Sequence, residues 1–169
     1  MNARLLLLTL TALSLAACAP RDPSGPTGPR SPSIDFPDLL PLQDLYSLQS
    51  FSGMADKGGM IITDSTVLRA VWATVFANYA VGQKPMLPAI DFKQNVVLVA
   101  SAGQTPTQLI WFRITKVRER PGHLAVLVES AWPGCGGVPV VTNPVHIVMV
   151  PRVSSQAVFE FVDYTEPCP

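Results

Sequence analysis

The chain has 169 residues with 12 Lys and Arg against 12 Asp and Glu, so its formal charge is zero, and 48% of its residues are hydrophobic. That balance leaves no overall basic footprint of the kind a nucleic-acid-binding domain carries, and nucleic acid is not an expected partner. About 135 residues follow the proline-rich segment described below, enough for one ordinary core and not two.

Arg4 precedes a leucine-dominated run from Leu5 to Leu15 and then small residues, the order of a secretory signal. The run is shorter than the roughly 20 apolar residues a spanning helix needs. Leu15-Ala16-Ala17-Cys18 resembles a lipobox, in which small residues precede a cysteine that is diacylated on sulfur and becomes the new amino terminus. Residues 1–17 are therefore expected to be a lipoprotein signal peptide and Cys18 the lipidation site. The mature chain would be held on the extracytoplasmic side of a cell membrane or outer membrane by its lipid. Two acyl chains matter because one chain anchors only marginally.

Residues 18–47 read as the lipidated cysteine, a tether and an irregular lead-in. Prolines at 20, 23, 26, 29 and 32 block helix and sheet. Their three-residue period suits polyproline II, and residues 19–33 could reach roughly 45 Å when fully extended. Residues 34–48 mix leucines with Pro37 and Pro41 and are expected to pack irregularly on the domain edge.

Residues 48–169 read as a single β-rich domain. A strand is expected at 48–54, a tight turn at Lys57-Gly58-Gly59 and a second strand at 60–63, because paired glycines supply the positive-φ positions of a hairpin. Thr63 or Asp64 can cap the helix that follows. There Val67, Leu68, Val71, Trp72, Val75, Phe76 and Tyr79 fall on one continuous face, the pattern of a helix packed on a sheet. Residues 82–88, with two prolines, end it.

The period then changes to that of sheet. Residues 96–100 read as a strand buried on both faces, and Ile110, Phe112 and Ile114 alternate with more polar neighbours. Pro121-Gly122 is a type II turn signature that joins this strand to residues 124–128, whose Leu124, Val126 and Val128 share a face. Residues 138–141, 145–150 and 158–164 are further strands. The order predicts an α+β fold: one amphipathic helix packed on a mostly antiparallel β-sheet, with a disulfide-tied C-terminal region.

With Cys18 acylated, Cys135 and Cys168 remain, an even pair in an oxidising compartment, and they are expected to form a disulfide closing about 33 residues. The alternative is a metal-binding thiol pair, but His123 and His146 bring no zinc-site spacing, and no metal or cofactor is expected. No G-x-S-x-G elbow, H-E-x-x-H helix or P-loop occurs, so no catalytic residue is assigned and the chain reads as a non-enzyme. His123, after the turn, reads as solvated, and His146, among valines, as structural. Asp91 can serve as a general base or bond local amides in a turn. The glycines around Cys135 are followed by no helix that would offer an anion its amino terminus. Trp111 and Trp132 are candidate partner-binding residues if both are exposed, since large aromatics dominate interface energetics.

From residue 60 to residue 150 the chain resembles the protease complex subunit PrcB family. The matching features are Met60-Ile61-Ile62-Thr63-Asp64 and Trp72, Ile90-Asp91-Phe92-Lys93 leading into Val96-Val97-Leu98-Val99, and Gly103. Trp132-Pro133-Gly134-Cys135 and Thr142-Asn143-Pro144 follow in the same order. Where many members have a glycine-tyrosine step, this chain has Pro106-Thr107-Gln108-Leu109. The family's namesake is a lipoprotein subunit of a surface protease complex and not itself the protease. The resemblance implies a protein that binds or stabilises another envelope protein; a receptor for a small ligand or an envelope polymer is the alternative.

Overall fold

The structure, a computed structural model, describes residues 39–80 and 82–167. In chain order these form β1 (Gln43–Leu48), β2 (Lys57–Ile62), α1 (Ser65–Val75), β3 (Asn95–Ala102), β4 (Trp111–Arg120), β5 (His123–Pro133), β6 (Val145–Pro151) and β7 (Ala157–Glu166). The signal segment, Cys18 and the tether lie outside the described residues, as does Cys168. No helix among the described residues is long and apolar enough to cross a membrane.

The fold is α+β, with one short helix and two mostly antiparallel sheets. A four-stranded sheet runs β1-β6-β3-β2 and a three-stranded sheet β4-β5-β7. β3 explains the layering. Its unbroken apolar run has no solvent face, as in strands covered on both sides. Val96, Leu98 and Ala100 enter one core with Phe112, Ile114 and Val117 of β4 and Leu124, Val126 and Val128 of β5. Val97 and Val99 enter another with Leu68, Trp72, Val75 and Phe76 of the helix region. The four-stranded sheet is thus the middle of three layers.

The helix starts where the sequence places it. Asp64 Oδ1 accepts from the amides of Thr66 and Val67, both at 2.9 Å, satisfying two donors that have no partner within the helix. It stops at Val75, well before Gly82, and Val67 is left 44% exposed, so the buried stripe is narrower than the sequence pattern. The proline segment folds back instead of merely ending the helix: Pro85 O accepts from Trp72 Nε1 at 3.0 Å.

Four expectations are corrected. The first strand is Gln43–Leu48, not 48–54, and it pairs with β6. Gly58-Gly59 is not a turn but part of β2, which pairs along its length with β3. Gly59 is needed there because the Phe159 ring of β7 occupies the space a Cβ would fill. Residues 138–141 make no strand: Pro139 has no amide to donate, and Val140 N bonds back to Val138 O at 2.8 Å in a tight local turn. Finally, the strands form two sheets rather than one, and β7 runs parallel to β5. β6 takes the return path in the other sheet, so the chain re-enters beside the starting end of β5.

The Pro121-Gly122 hairpin is present as expected, with Arg120 opposite His123 and Gly122 at φ +82°. β4 carries a β-bulge between Ile114 and Lys116. The extra residue lets Ile114 and Val117, three apart, both face the core.

The two sheets are also joined at their edges. Leu40 N donates to Val117 O at 2.9 Å, Leu39 bridges Arg118, and Gln49 Nε2 donates to Phe112 O at 3.1 Å, so the lead-in to the domain and the end of β1 cover the free side of β4. On the other side Phe159 lies over Gly59, and Lys57 Nζ stands 3.4 Å from Asp163 Oδ2. Covering edge strands in this way blocks unwanted strand pairing.

Candidate functional site

The outer face of the three-stranded sheet is the one sheet face in the described residues that no further layer covers. Because strand side chains alternate, the inward set of Phe112, Ile114 and Val117 sends Trp111, Arg113, Lys116, Arg118 and Arg120 outward. β5 adds Ala125, Leu127 and Glu129 to that face, and β7 adds Val158, Glu160, Val162 and Tyr164, by their register with the outward residues. Lys116, Arg118, Arg120, Ala125, Leu127, Val158 and Glu160 line a shallow groove of about 330 Å³. Its floor is apolar and one wall is cationic.

At the far end of the face stands an aromatic cluster. The ring of Trp111 is 6.4 Å from that of Tyr164, and the Arg113 guanidinium lies 5.3 Å from the Trp111 centroid. The Tyr164 hydroxyl donates to Glu129 Oε1 at 2.7 Å, and that bond raises the phenol above its ordinary value. Tryptophan, tyrosine and arginine are the residue types that dominate binding at interfaces.

Trp132 does not share this face. Trp111 pairs with Ala131, so the next residue along β5 turns the other way, and Trp132 packs against the core between the sheets. Its side chain lies near Asp163, which accepts from Ser130 Oγ and faces Lys57. The Ser130 hydrogen bond, with smaller help from Lys57 and Trp132, holds the Asp163 carboxyl below its usual range against the opposing effect of burial. A carboxylate so stabilised is a weak base, and the cluster ties β2 to β7.

The remaining ionisable candidates have structural partners. His146 is buried in β6; its Nδ1 accepts from Ile114 N at 2.9 Å and its Nε2 lies 3.3 Å from Asp44 Oδ1. Burial pushes its pKa down, and Arg113 adds to that, while Asp44 opposes it. His123 is half-buried at the hairpin. Asp91 Oδ1 accepts from Lys93 N at 2.9 Å, the local-turn alternative rather than a base poised in a cleft. Cys135 is exposed in the loop after β5. Among the described residues no group of three or more His, Cys, Asp and Glu stands close enough to hold a metal ion.

The cationic row on β4 was not anticipated from the sequence. Charges at 118 and 120 keep strand spacing, but the bulge changes the parity between 113 and 116 and conceals that all four cations share a face. The chain matches no protein-family model, no curated protein and no solved structure.

Proposed function

We propose that this chain is a lipid-anchored, non-catalytic binding protein of the cell envelope that docks another protein on the outer face of its three-stranded sheet. The observation that carries the reading is the Trp111–Arg113–Tyr164 cluster on a face whose reverse side is the core. An aromatic pair held by its own strands loses little freedom on binding, which favours affinity. The lipobox at Cys18 supports anchorage, and the resemblance to PrcB subunits supports a partner role in a protease complex.

Within the same proposal Cys135 and Cys168 are joined. Pro133 of β5 pairs with Glu166 of β7 in a parallel ladder, and Gly134 packs so close to the Glu166 carbonyl that a Cβ would collide with it. Cys135 follows two residues after Pro133, in the loop that leaves β5.

The test is recovery of the protein from its native membrane with mass spectrometry of what accompanies it. A specific protein partner, lost on Trp111→Ala while the domain stays folded, is the expected result. Recovery of the same partner with Trp111→Ala would overturn the assignment of this face.

A further inference from the structure

Resting on that docking face, we infer that the partner presents an acidic surface to it, with carboxylates set along an extended segment opposite Lys116, Arg118 and Arg120. The chain as a whole is neutral, yet these three cations and Arg113 lie on one face of one strand. Alternate residues of a strand stand about 6.5–7 Å apart. A second extended segment with Asp or Glu at every other position repeats at the same interval, so several carboxylates can meet the row in register.

Arginine fits such a segment because its planar fork holds a carboxylate through two hydrogen bonds. Arg118 and Arg120 already have a partner within the chain, so binding there exchanges or shares one. Lys116 is exposed at the middle of the row. Beside the cations, the groove floor of Ala125, Leu127 and Val158 accepts apolar side chains, and Val158 is 59% exposed.

Glu160 and Glu129 select between anionic partners. Both lie on this same face. A phosphodiester polymer, charged at every repeat, would bring uncompensated negative charge to them. A protein segment can place a lysine opposite Glu160 and spare the repulsion, since mismatched charges are what exclude wrong partners.

The probe is a synthetic ten-residue peptide of alternating Glu and Val with one terminal Lys, titrated onto the full-length protein in detergent. A Gln-for-Glu version and a ten-residue oligothymidylate serve as comparisons. The Glu peptide should bind, bind more weakly as salt rises, and lose about three- to fivefold in affinity with Lys116→Glu, the scale of one exposed ion pair. Arg120→Glu should act in the same direction, and the melting temperature of Lys116→Glu should stay at that of the parent. Equal binding of the Gln peptide, no response to Lys116→Glu, or tighter binding of the oligothymidylate would overturn the inference. If the membrane partner is lost with Trp111→Ala but retained with Lys116→Glu and Arg120→Glu, the docking face stands and its acidic complement falls.

Discussion

The backbone amide of Ile114 donates to Nδ1 of His146 across 2.9 Å, joining the two sheets at the bulge of β4. β4 is an edge strand of its sheet, and the imidazole accepts the amide as the carbonyl of a further strand would. Nδ1 can accept only if it carries no proton, so the proton of the neutral ring sits on Nε2, directed at Asp44. Burial, the largest influence, together with Arg113 keeps the ring neutral below the ordinary histidine pKa of about 6.5.

The sign of the resulting pH dependence follows. Below pH of about 6.5 the unfolded chain takes up a proton on this histidine that the folded chain refuses, so the unfolded state is favoured. The stabilising contribution is complete above that pH and is lost as pH falls through the lowered folded value. Melting temperature measured from pH 7.5 downward should therefore fall from about pH 6.5, and His146→Gln should flatten the upper part of that decline. His146→Ala should cost about 1–3 kcal/mol at neutral pH by stranding the Ile114 amide. An identical pH profile in parent and His146→Gln would refute the assignment.

Gly59→Ala should destabilise the domain by about 1–3 kcal/mol, the usual range for overpacking, because the new methyl meets the Phe159 ring. Phe159→Ala alone opens a void. The two changes together should cost less than their sum, since each relieves the other. Urea denaturation of the four proteins measures the coupling, and strict additivity would show that the ring does not rest on the glycine.

Asp64→Ala should lower stability by about 1 kcal/mol through loss of the helix cap, whereas Asp64→Ser should retain most of it. Thermal melts of both variants decide this. Equal losses would mean that the two amide bonds are not what Asp64 contributes.

Local rules were readable wherever the deciding contacts are close in sequence. The Asp64 cap, the Pro121-Gly122 hairpin and the doubly buried run at Val96–Ala100 all belong to that class. Gly58-Gly59 was misread because two glycines suit a turn as well as a strand that must admit a distant side chain. Nothing near residue 59 announces Phe159, a hundred positions away. The valines at 138–141 favour a strand, yet Pro139 cannot donate to one. Trp111 falls on an expected strand, whereas Trp132 lies beyond the strand expected at 124–128, and their faces depend on the pairing of Trp111 with Ala131, which only the fold supplies.

Cys168→Ser should cost roughly 2–4 kcal/mol if the proposed bridge to Cys135 constrains the unfolded chain in the usual way. Peptide mapping without reductant, on protein protected during isolation, gives the direct answer. A linked peptide containing both cysteines is expected, and a Cys135 peptide alkylated in full would exclude the bridge.

The most direct test of the docking face is site-specific photocrosslinking in the native membrane. A photoreactive amino acid replaces Val158, on the outer face of the three-stranded sheet, or Arg69, exposed on the helix in the opposite layer. The account predicts a discrete protein adduct from position 158, abolished by Trp111→Ala, and none from position 69. An adduct from position 69 alone, or one from position 158 that Trp111→Ala leaves unchanged, would contradict it.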